Sequence, residues 1–99
     1  MSLKIEKKTE TPVVLALSGR LDTATAPELE SEISELLSSE NALILDMENL
    51  EYISSAGLRV ILKTQKALSG KGGLKLTNVP EAVKEVFDIT GFSDFLTIE

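Results

Sequence analysis

Apolar and polar residues alternate with a period of two at the start of the chain, where Leu3 and Ile5 are interleaved with Lys4 and Glu6. The largely β-branched run Val13-Val14-Leu15-Ala16-Leu17 follows, with Thr9-Glu10-Thr11-Pro12 between the two. Two strands joined by a turn are expected. Ser18-Gly19-Arg20-Leu21-Asp22 then breaks the periodicity, and Thr25-Ala26-Pro27-Glu28 offers a capping box with proline early in the first turn. Leu29, Ile33, Leu36 and Leu37 fall at i, i+4, i+7 and i+8, one buried stripe of a helix, while Glu28, Glu30, Glu32 and Glu35 point elsewhere.

Ala42-Leu43-Ile44-Leu45 is a short continuous apolar run ending at Asp46, the pattern of a central strand covered on both faces. A second helical pattern then sets in with Leu58, Ile61, Leu62 and Leu68, interrupted by Gln65, and Ser54 or Ser55 is expected to cap it. Ser69-Gly70-Lys71-Gly72-Gly73 stops that helix, and Leu74-Lys75-Leu76-Thr77 is a further strand. Pro80 opens a third helix with the stripe Ala82, Val83, Val86 and Phe87 and a stop at Gly91, after which Phe92, Phe95, Leu96 and Ile98 pack and form a final edge strand. The order ββαβαβαβ predicts an α/β fold, a mixed sheet of about five strands packed by helices. At 99 residues the chain fits one domain spanning 1–99.

Composition narrows the chemistry. The chain has neither cysteine nor histidine, so thiolate nucleophiles, disulfides, Cys/His zinc sites and Ser-His-Asp triads are excluded. No apolar run approaches the ~20 residues that cross a bilayer, and Met1-Ser2-Leu3-Lys4-Ile5-Glu6 lacks the apolar centre of a signal peptide. A cytoplasmic protein is expected, with no direct membrane insertion. The net charge of −6 sits entirely in residues 1–50, which carry four basic and ten acidic side chains against six of each in residues 51–99. Such a field repels nucleic acid and favours a basic protein surface. Four aromatics and no tryptophan also leave no base-stacking platform.

The chemistry that remains gathers at loops. Ser54-Ser55-Ala56-Gly57 precedes the second helix, where backbone N–H groups and the helix dipole would stabilise a phosphate. Read locally, the same serines are helix caps worth roughly 1 kcal/mol. Gly57 costs about 1 kcal/mol relative to alanine inside a helix, which points to close approach by another backbone or a partner. Asp22 is a turn or cap residue in local terms, and only the fold can bring it to Ser55. The Ser69–Gly73 segment lacks phosphate-loop spacing and follows a helix, so it is a turn. Asp46 and Glu48 have no histidine or third acid to make a metal or glycosidase site. Arg59, Lys63 and Lys66 form a basic stripe, by default a solvated face. No cofactor site and no catalytic set emerges.

The string Leu45-Asp46-Met47-Glu48-Asn49-Leu50-Glu51-Tyr52-Ile53-Ser54-Ser55-Ala56-Gly57-Leu58-Arg59-Val60 resembles the signature of the STAS domain, shared by bacterial anti-sigma factor antagonists and sulfate transporter tails. Three further stretches agree: Leu17–Asp22 with the family's G-x-L-D, Gly72–Leu76 with its fourth strand, and Val83–Phe92 with its F-x-x-x-G helix. The resemblance implies a stand-alone antagonist that binds an anti-sigma factor which is also a serine kinase, and so frees a sigma factor. Phosphorylation by the kinase releases it, and a serine phosphatase would reset it. The family pattern Asp-Ser-[Ser/Thr/Ala]-Gly places the phosphoacceptor on Ser55. Ser54 stands where the family has aspartate, which makes it a second candidate acceptor. Asp22, Thr23, Ser54, Ala56, Gly57, Leu58 and Arg59 are the implied partner-binding residues. The alternative carried with it is a constitutive STAS scaffold, in a signalling assembly or a lipid-transport complex, whose serines are caps only.

Overall fold

The structure, a computed structural model, describes residues 3–99. Met1 and Ser2, included in the domain expected over 1–99, lie outside the described residues. The elements are β1 (Leu3–Lys8), β2 (Val13–Leu21), α1 (Ala26–Leu37), β3 (Ala42–Ile53), α2 (Ser55–Leu68), β4 (Gly73–Thr77), α3 (Glu81–Thr90), a 3-10 turn (Phe92–Asp94) and β5 (Thr97–Ile98). Their order is the ββαβαβαβ expected from the hydrophobic pattern. The five strands form one sheet in the order β1-β2-β3-β4-β5, with β1 antiparallel to β2 and every other neighbouring pair parallel.

This topology decides where the core lies. Each crossover from β2 to β5 steps one strand further in the same direction, and right-handed crossovers then place α1, α2 and α3 on one face of the sheet. Burial follows: Leu15 and Leu17 of β2, Leu43, Leu45 and Met47 of β3, and Leu74 and Leu76 of β4 are buried, together with Leu29 and Ile33 of α1, Ile61 and Leu68 of α2, and Val83 and Phe87 of α3. The residues between them in the strands, including Val14, Ala16, Ile44 and Lys75, are only half-buried. The central strand is therefore covered on one face, not on both as the run Ala42–Leu45 suggested. Ile44 sits opposite Val14 and Lys75 on the uncovered side.

β3 is also longer than that run, at 12 residues. Opposite Ala16 and Ser18 of β2 its register jumps from Asp46 to Asn49, and opposite Gly19 and Arg20 from Leu50 to Tyr52, two bulges that each insert an extra residue into β3. The buried positions consequently pass from alternation to every third residue: Met47, Leu50 and Ile53. Three other expectations are corrected. Thr25 occupies the N-cap position of α1, but its side chain makes no capping hydrogen bond, so the capping box does not form. Ala82 of the third stripe is exposed, the burial of α3 resting on Val83 and Phe87. Phe95 is 64% exposed, and Leu96 beside it fills the core instead. Among the described residues no helix is long and apolar enough to cross a membrane.

Candidate functional site at the ends of β2 and β3

β2 and β3 are parallel neighbours, so the loops that leave their carboxyl ends emerge side by side. The last pair in register is Leu21 with Ile53. One step beyond, the Ser54 N–H donates to the Leu21 carbonyl at 2.9 Å. This bond ties the loop carrying Asp22 and Thr23 to the loop carrying Ser54 and Ser55, which are separated in sequence by 30 residues and more.

The first loop is held by Asp22 and Thr25. Asp22 Oδ1 accepts from the N–H groups of Ala24 and Thr25, both at 3.1 Å. The Thr25 hydroxyl, 3% exposed as a residue, donates to the Arg20 carbonyl at 2.8 Å and accepts from the Asp22 N–H at 2.9 Å. These bonds, the Thr25 N–H first among them, hold the Asp22 carboxyl below the ordinary carboxylate range, with smaller help from the Thr25 hydroxyl, the Ala24 N–H and the Arg20 charge. Arg20 Nε lies 3.8 Å from Asp22 Oδ2, and its guanidinium stacks 4.2 Å from the centroid of the Tyr52 ring. Thr25 thus closes the turn from within and leaves Thr23 exposed at its apex.

The second loop is a helix start. Ser54, extended at φ −100° and ψ 175°, is the N-cap of α2, and its Oγ accepts from the Gly57 N–H at 3.4 Å. Ser55 is the first helical residue and is exposed. Of the two serines that could have capped the helix, Ser54 does so and Ser55 is left with no hydrogen-bonding partner for its hydroxyl among the described residues. Ser54 performs the acceptor role that the aspartate of the family pattern would perform, since serine and aspartate cap about equally well. It does not bring the negative charge.

Gly57 is buried, and a Cβ there would stand 2.6 Å from Leu21 Cγ and 3.0 Å from Ile53 Cγ1. The close approach at this glycine is made by the side chains of Leu21 and Ile53 of the chain's own β2 and β3, not by another backbone or a partner as expected, and the small residue seats α2 against the strand that carries the Asp22 loop. Leu58 is likewise buried, at 5% exposure. Gly57 and Leu58 therefore shape the site from beneath. Its surface is made by Thr23, Ser55 and Arg59, which are exposed, with Asp22, Ser54 and Ala56 half-buried. Thr25 and the Arg20–Tyr52 stack were not among the candidates, because nothing local marks Thr25 as more than a cap and the stack requires the register of β2 on β3.

The remaining sequence motifs resolve as ordinary structure. Asp46 Oδ1 accepts from the Glu48 N–H and from Asn78 Nδ2, each at 3.1 Å, within β3 at its first bulge. The Ser69–Gly73 segment is the connection from α2 to β4, where the Gly72 N–H donates to the Asn41 carbonyl at 2.8 Å. Lys63 of the basic stripe is paired with Glu30 of α1. Arg59 takes part in no ion pair among the described residues.

Comparison with known proteins agrees with this geometry. The chain matches the family model of the STAS domain over residues 3–99. BtrV of Bordetella bronchiseptica, named as a candidate anti-sigma factor antagonist, is 40% identical over 82 residues, 81% of this chain and 71% of that protein. The anti-sigma-B factor antagonist of Bacillus subtilis is 31% identical over 100 residues, covering 99% of this chain and 92% of the relative. Among solved structures, the anti-sigma factor antagonist SpoIIAA in its unphosphorylated form superimposes with a TM-score of 0.83 at 23% identity, over 97% of this chain and 88% of that one. The phosphorylated form of SpoIIAA, from Bacillus, gives a TM-score of 0.75 at 20% identity, over 97% and 91%. Five strands in monotonic order, three helices on one face, paired loops after β2 and β3, and relatives aligned along nearly the full chain lead to one assignment: the chain belongs to the STAS domain family.

Proposed function

We propose that this protein is an anti-sigma factor antagonist, a binding protein and not an enzyme, whose docking surface is the pair of loops after β2 and β3. In this reading it binds an anti-sigma factor that is also a serine kinase, in the bacterial cytoplasm, and thereby frees a sigma factor. Phosphorylation of Ser55 releases the partner, and a serine phosphatase restores the unmodified form. The observation that carries the reading is the division of labour between the two serines: Ser54 is engaged as the helix cap, and Ser55 is exposed with an unengaged hydroxyl beside the Thr23 loop. The relatives' names support the pathway. SpoIIAA, a protein of the same fold, has been solved in unphosphorylated and phosphorylated forms, in keeping with a switch that leaves the fold in place.

The physics of release is local. A phosphate adds about −1.5 to −2 charges in a surface that a partner must desolvate, close to the carboxylate of Asp22. Repulsion and desolvation oppose docking, while the amide groups at the start of α2 favour the anion where it stands.

Fragment mass spectrometry of the protein isolated from its host under several growth conditions tests the reading. Phosphate on Ser55 in a fraction of the molecules is the expected result, and capture with Ser55→Ala should then retain a serine kinase that Ser55→Glu does not. No phosphate under any condition would replace the switch with a constitutive scaffold, the alternative that the absence of the family aspartate favours.

A further inference from the structure

We propose that Arg59 is the built-in counter-ion of phosphorylated Ser55, so that the modified side chain is held along the surface of α2 by an intramolecular ion pair. The inference rests on Ser55 as the phosphoacceptor and adds the group that receives the phosphate. Ser55 and Arg59 are exposed and stand at i and i+4 on α2, a spacing that brings Cβ atoms to about 5–6 Å. Helical side chains lean toward the helix N-terminus, so Arg59 reaches back over the turn that begins at Ser55. A planar guanidinium offers a fork of N–H donors that matches phosphate oxygens two at a time.

The neighbouring charges are otherwise committed. Arg20 is stacked on Tyr52 and lies beside Asp22, and Lys63, one turn beyond Arg59, is paired with Glu30 of α1. Arg59 lines a shallow groove with Ala26, Pro27 and Glu30 of α1 and with Ala56 and Lys63 of its own helix, so the one carboxylate in that groove is already paired with a different cation. Arg59 itself makes no ion pair among the described residues. A dianion created at Ser55 therefore finds an uncommitted guanidinium within reach on the same helix face. Capture of Arg59 would also remove it from any carboxylate of a bound partner, so release would combine an added repulsion with a withdrawn attraction.

The test places phosphoserine at position 55 during translation and follows its phosphorus resonance through a pH titration, in the otherwise unchanged protein and in Arg59→Gln and Arg59→Lys backgrounds. No kinase or partner is needed. A nearby cation favours the dianion, so the second phosphate ionisation, ordinarily near pH ~6, should lie about half a unit lower with Arg59 than with glutamine, with lysine intermediate. The difference should narrow at about 1 M salt, where screening acts over roughly 3 Å. Helix-start amides are common to all three proteins and cannot produce it. Coincident titration curves for the arginine and glutamine proteins would overturn the pairing while leaving Ser55 as a switch intact. Conversely, a host protein never phosphorylated at Ser55 would remove the switch while leaving the titration result standing.

Discussion

Thr25 and Asp22 act as one unit, because the buried hydroxyl of Thr25 closes the turn that the Asp22 carboxylate caps. Replacing Thr25 with valine keeps the shape and leaves the Arg20 carbonyl and the Asp22 N–H without that partner. The expected cost is about 1–3 kcal/mol in chemical denaturation, together with a rise of the Asp22 carboxyl toward the ordinary value followed by NMR. The sign of the pH effect follows from the depressed folded-state ionisation of Asp22. Its stabilising contribution is complete above the unfolded value of about 3.9 and is lost as pH falls through the lower folded value. Asp22→Asn should therefore flatten the acid limb of the stability profile, and an unchanged limb would contradict the hydrogen-bonded carboxylate. Gly57 makes a second test at this scale. Alanine is the better helix former by up to about 1 kcal/mol, yet its Cβ would meet Leu21 Cγ, a branch point with little freedom, at 2.6 Å. Gly57→Ala should lower stability by about 1–3 kcal/mol through overpacking; a stabilised variant would mean that α2 is not seated on β2 as described.

The α2 start shows why some elements are legible in sequence and others are not. Its serine cap and its stop before Gly70 are local signals that reappear in the structure, and its stripe does so through Leu58, Ile61 and Leu68, with Val60 and Thr64 buried in place of the expected Leu62. Which serine caps depends on where Leu21 lies, since the Ser54 N–H is fixed by the Leu21 carbonyl before the helix begins. The second half of β3 was illegible for a related reason. Two bulges against β2 convert its buried positions to a spacing of three, which no strand or helix template recognises. The expected capping box at Thr25 failed because that hydroxyl is taken by the backbone carbonyl of Arg20, five residues back. The adjacency of Asp22 and Ser55 came from a family resemblance and not from any local pattern, because it needs the parallel register of Leu21 with Ile53. At this scale Ser54→Ala should destabilise by about 1 kcal/mol, whereas Ser54→Asp should be near neutral in denaturation because either side chain accepts from the Gly57 N–H. Equal stability of all three proteins would show that the 3.4 Å cap bond carries no weight.

The whole molecule is a mixed, mainly parallel sheet with one face covered, an unusual state for parallel strands. Three crossovers that step in one direction put every helix on the same side, and the uncovered side is left with a mixture of Val14, Ala16, Ile44, Asp46 and Lys75. Adjacent residues of one strand should then respond unequally. Leu45→Ala in the core should cost about 2–5 kcal/mol, and Ile44→Thr on the open face under about 1 kcal/mol; equal losses would mean that both faces are packed. The loops proposed as the docking surface sit at one end of this sheet, after β2 and at the start of α2. Added phosphate acts beside the Asp22 loop, which the Leu21 carbonyl ties to the start of α2. Control of docking by the proposed acceptor Ser55 is tested most directly by calorimetric titration of the cognate anti-sigma factor with this protein carrying serine or phosphoserine at position 55. Tight binding of the unmodified form and a loss of at least about tenfold, or 1.4 kcal/mol, on phosphorylation are expected, with the folded structure retained by circular dichroism. Equal affinity of the two forms would contradict it.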